Sequence, residues 1–263
     1  KRAHNAEAAG EFAKDWVLTE NGYTVPAGIL SDMKNPEDME LMYHHPGWTE
    51  GRIGIEKIDG NSVIMKQPAF RMGRRFAYML PTRLGNAYEF IAEDGDWCVD
   101  TAEDTVYLKY SGNPNDSEII AGNIEQLMVF DGTYEKCVHD IVIDGFRFEY
   151  ASWYRPDSDL GFVAVQASLS YEENDVGGLD MIKTFGTVDA KNAYGLEFVN
   201  NTFCHLGGSA LDLDIGCREI LVQGNNFYDL SNNAIMVGNM MAVDAHPNRD
   251  DMRRRVYNIR ILN

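Results

Sequence analysis

The sequence predicts an all-β protein whose second half is a parallel β-helix and whose first half is a separate β-rich module. Two adjacent stretches, Gly195–Gly216 and Glu219–Gly238, repeat with a constant offset of 24 residues. Short β-type runs occur in both, and an Asn recurs in register. A fixed period of this length is the signature of a solenoid, in which each turn of the chain stacks on the next.

The repeat pairs residues of similar character along its length. Equivalent positions are Asn201 and Asn225, Phe203 and Phe227, His205 and Asp229, Leu206 and Leu230, Ala210 and Ala234, and Leu211 and Ile235. Parallel pairing of successive turns would bury one apolar face of each. The side chains that we expect inside are Leu196, Phe198, Phe203, Leu206, Leu211, Leu213, Val222, Phe227, Leu230, Ile235 and Val237.

Further turns flank this repeat. Val138–Ala151 aligns Phe148 with Phe203, and Val256–Asn263 places Ile261 under Val222. Between the matching positions lie two inserts, roughly 152–191 and 239–255, which we expect to project as loops at the corners of the turns. The chain stops inside a turn, so we expect an uncapped edge there and a longer parent protein.

The first half shows no such period. Short β-branched runs separated by Asn-Gly, Pro-Gly and Asp-Gly turns predict antiparallel strands, and 97–110 predicts a hairpin. Asn35 and Pro36 predict the start of a short helix. The predicted domains are therefore residues 1–136, the accessory module, and 137–263, the β-helix.

Composition excludes several classes of function. The 41 acidic and 23 basic residues give a net charge of −18, whereas nucleic-acid binding proteins carry the opposite sign. No apolar run reaches the length of a membrane span. The four cysteines show no zinc-type spacing, and we predict neither a metal nor another cofactor.

A pair of carboxylates is the first candidate site. In the run Ala210–Asp214 the leucines alternate with Asp212 and Asp214, so inward leucines leave both carboxylates on the outer strip. Residues two apart on a strand are separated by about 6.5–7 Å, which is the lower edge of the range for inverting glycoside hydrolysis. The alternative is that these acids only solubilise the surface.

A column of three residues is the second candidate. Tyr150, His205 and Asp229 occupy one position in three successive turns, which stack about 4.8 Å apart. A His above an Asp is an arrangement suited to proton donation. The alternative is an ordinary hydrogen bond that closes each turn.

The first insert offers groups for binding sugars. Trp153 presents a flat apolar face, and Arg155 and Gln166 present planar polar groups, with Tyr150 nearby in sequence. Such combinations suit stacking and hydrogen bonding against sugar rings. Aromatic residues of an insert can equally pack onto the side of the helix.

Four stretches resemble right-handed, pectate-lyase-like parallel β-helix proteins of glycoside hydrolase family 141, which includes α-L-fucosidases and xylanases. These stretches are Gly85–Tyr110, Asp140–Pro156, Val199–Gly216 and Gly224–Gly238. The resemblance implies a right-handed coil and two Asp residues acting as acid and base in a groove along the turns. It matches Asp212 and Asp229 to that set, with His205 between them, and implies a partner carboxylate beyond Asn263.

The leading hypothesis is a glycoside hydrolase acting on plant or host polysaccharides by paired-carboxylate catalysis. The resemblance implies a secreted, periplasmic or cell-surface protein with a carbohydrate substrate. A polysaccharide lyase and a non-catalytic structural or adhesive β-helix remain alternatives. The acidic charge disfavours the polyanionic substrates of lyases.

Overall fold

A computed structural model describes residues 2–5, 12–30, 32–45, 49–75, 80–166, 169–240 and 251–263. By its internal contacts the chain forms two compact units. The first unit comprises Lys1–Ile119, Tyr154–Gln166 and Ser170–Asp180, and the second comprises Ile120–Trp153, Ala167–Leu169 and Met181–Asn263. Most of the predicted insert 239–255 lies outside the described residues.

The described secondary structure is almost entirely β. Strands β1 to β12 are Val17–Leu18, Gly22–Thr24, Glu40–His45, Thr49–Asp59, Ser62–Met65, Arg83–Gly85, Trp97–Asp100, Thr105–Leu108, Met128–Asp131, Val138–His139, Val142–Asp144 and Arg147–Glu149. Strands β13 to β24 are Phe162–Val163, Leu169–Glu173, Leu179–Lys183, Gly186–Lys191, Ala193–Tyr194, Glu197–Val199, Thr202–Leu206, Ser209–Leu213, Arg218–Gln223, Asn226–Leu230, Ile235–Val237 and Tyr257–Leu262. Helix α1 is Ala69–Arg75, and single 3₁₀ turns occur at Pro36–Asp38, Tyr88–Phe90, Pro114–Asp116, Arg155–Asp157 and Met252–Arg254. No helix of the described residues has the length and apolarity needed to cross a bilayer.

The first unit is antiparallel, as the sequence predicts. Its main sheet has the order β1-β2-β5-β4-β3-β6, and β13 joins it on β4. Strands β7 and β8 form the predicted hairpin. The predicted helix at Asn35 is only a 3₁₀ turn, and Asn35 does not cap it. Its side chain instead donates to the Asn86 and Val99 carbonyls and accepts from the Tyr88 amide.

The second unit consists of parallel sheets stacked in the predicted register. One sheet has the order β10-β17-β21-β18-β11 with β24 on β21, a second is β12-β19-β22, and a third is β23-β20-β16-β9. The pairs Phe203–Phe227, Leu211–Ile235 and Val222–Ile261 are register partners. The prediction of parallel stacking is therefore confirmed.

Rows of identical side chains mark this stacking. Phe148, Phe203 and Phe227 form a stack with ring centroids 4.9 and 4.8 Å apart. Asn201 is fully buried, and its Nδ2 donates to the Asn225 Oδ1 at 2.9 Å. The stack buries apolar area, and the Asn pair satisfies polar groups that would otherwise be stranded in the core.

The side chains predicted to be interior between residues 196 and 222 are all buried, whereas those in β22 and β23 are less buried than predicted. Phe227, Leu230 and Ile235 are half-buried. Val237 is 47 % exposed, so its prediction as an interior residue is wrong. The physical reason is that β23 pairs only with β20 within the described residues, so a stacked neighbour covers one side alone.

The corners of the turns use left-handed backbone. The column Tyr150, His205 and Asp229 has φ angles of 62°, 53° and 51°. These angles are uncommon for residues with a side chain, and they persist where surrounding structure enforces them. The backbone amide of Tyr150 donates to the His205 carbonyl at 3.1 Å, which ties one corner to the next.

The first insert is shorter than the sequence predicts. The sequence predicts that β16 (186–191) belongs to the insert, but this strand pairs in parallel with β9 and β20 and is part of the stacked sheets. Asp189 is the register partner of Asp212, an offset of 23 residues. An alignment at a strict period of 24 therefore misses this turn.

Candidate active site

Asp212 lies in the middle of β20, where the neighbouring leucines fix its direction. Leu211 and Leu213 are fully buried in the core of the second unit, so Asp212 projects from the opposite face of the strand, as the sequence predicts. The Asp212 side chain is nevertheless only 2 % exposed. A lysine that sequence analysis did not select covers it.

That lysine is Lys183, at the end of β15. Its Nζ donates to Asp212 Oδ1 at 2.6 Å and to the Gly238 carbonyl at 2.7 Å, and it lies 3.8 Å from Asp214 Oδ1. The Lys183 side chain is 12 % exposed and that of Asp214 is 20 % exposed. One ammonium therefore holds the two predicted carboxylates together.

Asp189 adds a third carboxylate to this group. It is half-buried beside Asp212 in the adjacent strand β16. Burial raises the pKa of Asp189, and the charge of Asp214 raises it further. The signal that could have identified Asp189 is its position between the apolar residues Val188 and Ala190, which repeats the Leu-Asp-Leu pattern around Asp212.

The environment of Asp212 holds it near its titration midpoint at neutral pH. Burial raises the pKa of Asp212 to about 7, although the charge and hydrogen bond of Lys183 act in the opposite direction. Asp189 and Asp214 contribute further upward shifts through like-charge repulsion. A carboxylic acid with a pKa in this range is suited to general acid catalysis.

A glycine makes the close packing of Asp212 possible. A Cβ added to Gly186 would lie 2.6 Å from the Asp212 Cβ and 2.8 Å from its backbone nitrogen. Neither distance is tolerated between non-bonded atoms. Gly186 therefore allows β16 to approach the carboxylate-bearing strand.

A cleft of about 260 Å³ lies beside this group, with Lys183 in its lining. Lys183, Ile235, Met236, Gly238 and Met240 are among its lining residues. Met236 is the register partner of Asp212 in the next turn, so the cleft lies one turn beyond the carboxylate. Lys183 lines the cleft and contacts Asp212, whereas Asp212 itself does not line it.

The predicted column of Tyr150, His205 and Asp229 is present. The rings of Tyr150 and His205 stack 5.4 Å apart with an interplanar angle of 9°. His205 Nδ1 lies 2.5 Å from Asp229 Oδ2, and the Asp229 side chain is 71 % exposed. In the part of the chain that the structure describes, no hydrogen bond or ion pair joins this column to Asp212.

The predicted substrate-binding residues are divided between the two units. Tyr150 and Trp153 belong to the second unit and Arg155 and Gln166 to the first. Trp153 is half-buried and Gln166 is exposed. Arg155 pairs with Glu172 and donates to the Tyr171 carbonyl at 3.1 Å, so an internal network already engages its guanidinium.

Among the described residues, no group of three or more His, Cys, Asp and Glu side chains has the geometry to hold a metal ion. Within the carboxylate group itself, the Lys183 ammonium occupies the place beside Asp212 and Asp214 that a cation would take.

The similarity of this chain to known proteins is a similarity of structure. No family model and no curated protein matches it. A solved structure titled "Glycoside hydrolase" superimposes with a TM-score of 0.77 at 21 % sequence identity, over 99 % of this chain and 51 % of that one. The chain thus spans about half the length of that protein. At this identity the two proteins share a fold, which in this chain is all-β with stacked parallel sheets.

Proposed function

We propose that this protein hydrolyses glycosidic bonds and that its second unit is a right-handed parallel β-helix carrying the catalytic carboxylates. The observation that supports the activity is the buried Asp212, whose pKa is raised to about 7, held beside Asp214 and next to a cleft. Glycosidases require one protonated and one ionised carboxyl group at the scissile bond. The structural likeness to a protein titled "Glycoside hydrolase" agrees with this assignment.

In the proposed reaction, Asp212 donates its proton to the glycosidic oxygen as the bond to the anomeric carbon breaks. Asp214 acts on the anomeric carbon, either directly as a nucleophile or by taking a proton from the attacking water. Burial favours the protonated form of Asp212, and like-charge repulsion from Asp189 adds to this effect. Protonation of Asp212 also removes its charge attraction for Lys183, so the reactive form is the one from which the ammonium can move aside.

The spacing of the two acids favours one stereochemical outcome. Lys183 Nζ lies 2.6 Å from Asp212 Oδ1 and 3.8 Å from Asp214 Oδ1, so these two oxygens are at most about 6.4 Å apart, just below the range for inverting enzymes. We therefore propose retention of configuration, in which Asp214 forms the covalent intermediate. The anomeric form of the first product, followed by NMR, distinguishes the two outcomes.

The remaining sequence-based assignments are part of the same proposal. His205 and Asp229 are proposed as a second proton-carrying pair, with Tyr150, Trp153, Arg155 and Gln166 as sugar contacts. The substrate is proposed to be a polysaccharide outside the cytoplasm. The stacked ring of Tyr150 above His205 supports the column as a preformed surface.

A sugar-release screen tests the activity. The full-length protein is incubated with plant and host polysaccharides, and products are separated into reducing sugars and unsaturated uronates. Asp212→Asn keeps the size of the side chain and is expected to lower turnover by about 10²–10⁴. Asp131→Asn, an exposed acid in the same sheet, is the matched control. Unsaturated products would identify a lyase, and unchanged turnover in Asp212→Asn would overturn the assignment.

A further inference from the structure

The first unit contains a polar cavity of about 220 Å³ that the proposed hydrolysis does not use. Its lining includes Arg2, Asp38, Glu40, Lys66 and Asp157. Most of these groups already have partners: Arg2 Nη1 donates to Asp157 Oδ1 at 2.7 Å, and Lys66 Nζ donates to the Asp157 carbonyl at 3.1 Å. Asp38 accepts a hydrogen bond from the Thr101 amide at 2.8 Å.

Glu40 is the exception. It is only 4 % exposed, and neither carboxylate oxygen has a hydrogen-bond partner in the described part of the chain. Oε1 lies 3.6 Å from Arg2 Nη1 and 3.9 Å from Arg52 Nη1, beyond hydrogen-bonding distance. Two long ion pairs compensate only part of the cost of burying this carboxylate, because neither oxygen accepts a hydrogen bond.

Glycines flank Glu40 on both neighbouring strands. Its two cross-strand partners are Gly54 on β4 and Gly85 on β6, so neither neighbouring strand places a side chain beside it. A Cβ at Gly85 would lie 3.0 Å from Glu40 Oε1. At Gly54 an added Cβ would lie 3.0 Å from the Lys66 Cδ, so the two glycines make room for the Glu40 and Lys66 side chains that line the cavity.

We propose that this cavity binds a neutral polyhydroxylated ligand, a single sugar residue, whose vicinal diol donates to both oxygens of Glu40. Two adjacent hydroxyl groups supply the two donors that the carboxylate lacks, and O–H donors to a carboxylate form strong, charge-assisted hydrogen bonds. The same hydroxyl groups can accept from Arg2 and Lys66.

The mixed charges of the lining disfavour ligands that carry a single net charge. An anion would face Glu40, Asp38 and Asp157, and an amine or metal cation would face Arg2 and Lys66. The cavity is also smaller than the about 300–1,000 Å³ of sites for drug-sized molecules, which suits one ring rather than an oligosaccharide. This inference does not depend on the hydrolytic activity of the second unit.

The test measures binding in the Asp212→Asn chain, so that turnover does not interfere. Methyl glucoside, methyl xyloside and methyl fucoside serve as diol probes, and cyclohexanol, galacturonate and Ca²⁺ serve as comparisons, all by saturation-transfer NMR and calorimetry. We expect saturable binding of at least one diol probe. Glu40→Gln replaces one acceptor by a donor and should weaken that binding at least tenfold.

Glu56→Gln makes the same chemical change at an exposed position of β4 and should leave binding unchanged. A cavity that holds water only would show no diol binding, and that result overturns the proposal. Diol binding that persists unchanged in Glu40→Gln would place the ligand elsewhere and overturns it too. Preferred binding of Ca²⁺ or galacturonate would contradict the neutral-ligand assignment. Binding lost only in Glu40→Gln, with or without hydrolysis, supports it independently of the proposed activity.

Discussion

Lys183 Nζ lies 2.6 Å from Asp212 Oδ1 and 2.7 Å from the Gly238 carbonyl, so one ammonium bridges the buried carboxylate and the backbone that follows the next stacked strand. Protonation of Asp212 and the position of Lys183 are therefore coupled. A neutral Asp212 can still accept a hydrogen bond from Lys183, but it no longer attracts the ammonium by charge. Two of the predictions that follow depend on this coupling.

Asp212 makes stability depend on pH in a defined direction. Its pKa is raised from 3.8 to about 7, so between these values the folded state holds a proton that the unfolded state releases. The free energy of unfolding should therefore fall as pH rises through this range, by up to about 4 kcal/mol from this group. Denaturant unfolding of the parent and of Asp212→Asn at several pH values measures the difference. A parent that gains stability relative to the variant with rising pH would contradict this.

Lys183→Met should move the pH profile of activity. The lysine charge and hydrogen bond lower the pKa of Asp212, so their removal raises it further above its usual range. A general acid must be protonated, and a higher pKa moves the alkaline fall of kcat/KM to higher pH. Lys57→Met, at an exposed position of β4, is the control and should leave the profile in place. A shift to lower pH would disprove the coupling.

Asp229→Asn tests whether the His205 column takes part in catalysis. If the pair carries a proton, turnover should fall at least about tenfold, while the melting temperature changes little because the Asp229 side chain is mostly exposed. Turnover and thermal unfolding are measured on the same preparation. A lower melting temperature with unchanged turnover would assign the column to closing the corner alone.

Asn201→Ala should destabilise the second unit. Asn201 is fully buried, its Nδ2 donates to the Ile143 carbonyl at 2.9 Å, and its Oδ1 accepts from the Phe146 amide at 2.9 Å. Without the side-chain amide, both backbone groups lose their hydrogen-bond partner, which should lower the free energy of unfolding by about 1–3 kcal/mol for each group. Denaturant unfolding measures the effect, and Asn226→Ala on the exposed side of the next turn is the matched control. Equal effects of the two variants would contradict the prediction.

The sequence predicted the stacked sheets well because identical residues recur where turns stack. Phe203 and Phe227 are equivalent in the alignment and are partners in the structure. Parallel register requires this agreement, since a slip of one residue would turn every apolar side chain outward.

The candidate site was predicted less completely, because its environment comes from outside the repeat. Alternation with leucine gives the direction of Asp212 but not its exposure, which depends on Lys183 from β15. Asp189 was missed because its turn is one residue shorter than the repeat. The period of a single sequence identifies those turns that have the same length. A residue that covers a side chain from outside the repeat, or a turn that is shorter than the repeat, depends on tertiary contacts that the period does not reveal.

The phenylalanine stack has a consequence for how the second unit opens. Phe203 has an aromatic neighbour on both sides, whereas Phe148 and Phe227 each stack on one ring of the row. In such a one-dimensional array the resistance of each turn to local unfolding is set by its nearest neighbours. Within this row, the turn that carries Phe203 and Asp212 should therefore resist local unfolding more than the turns that carry Phe148 and Phe227.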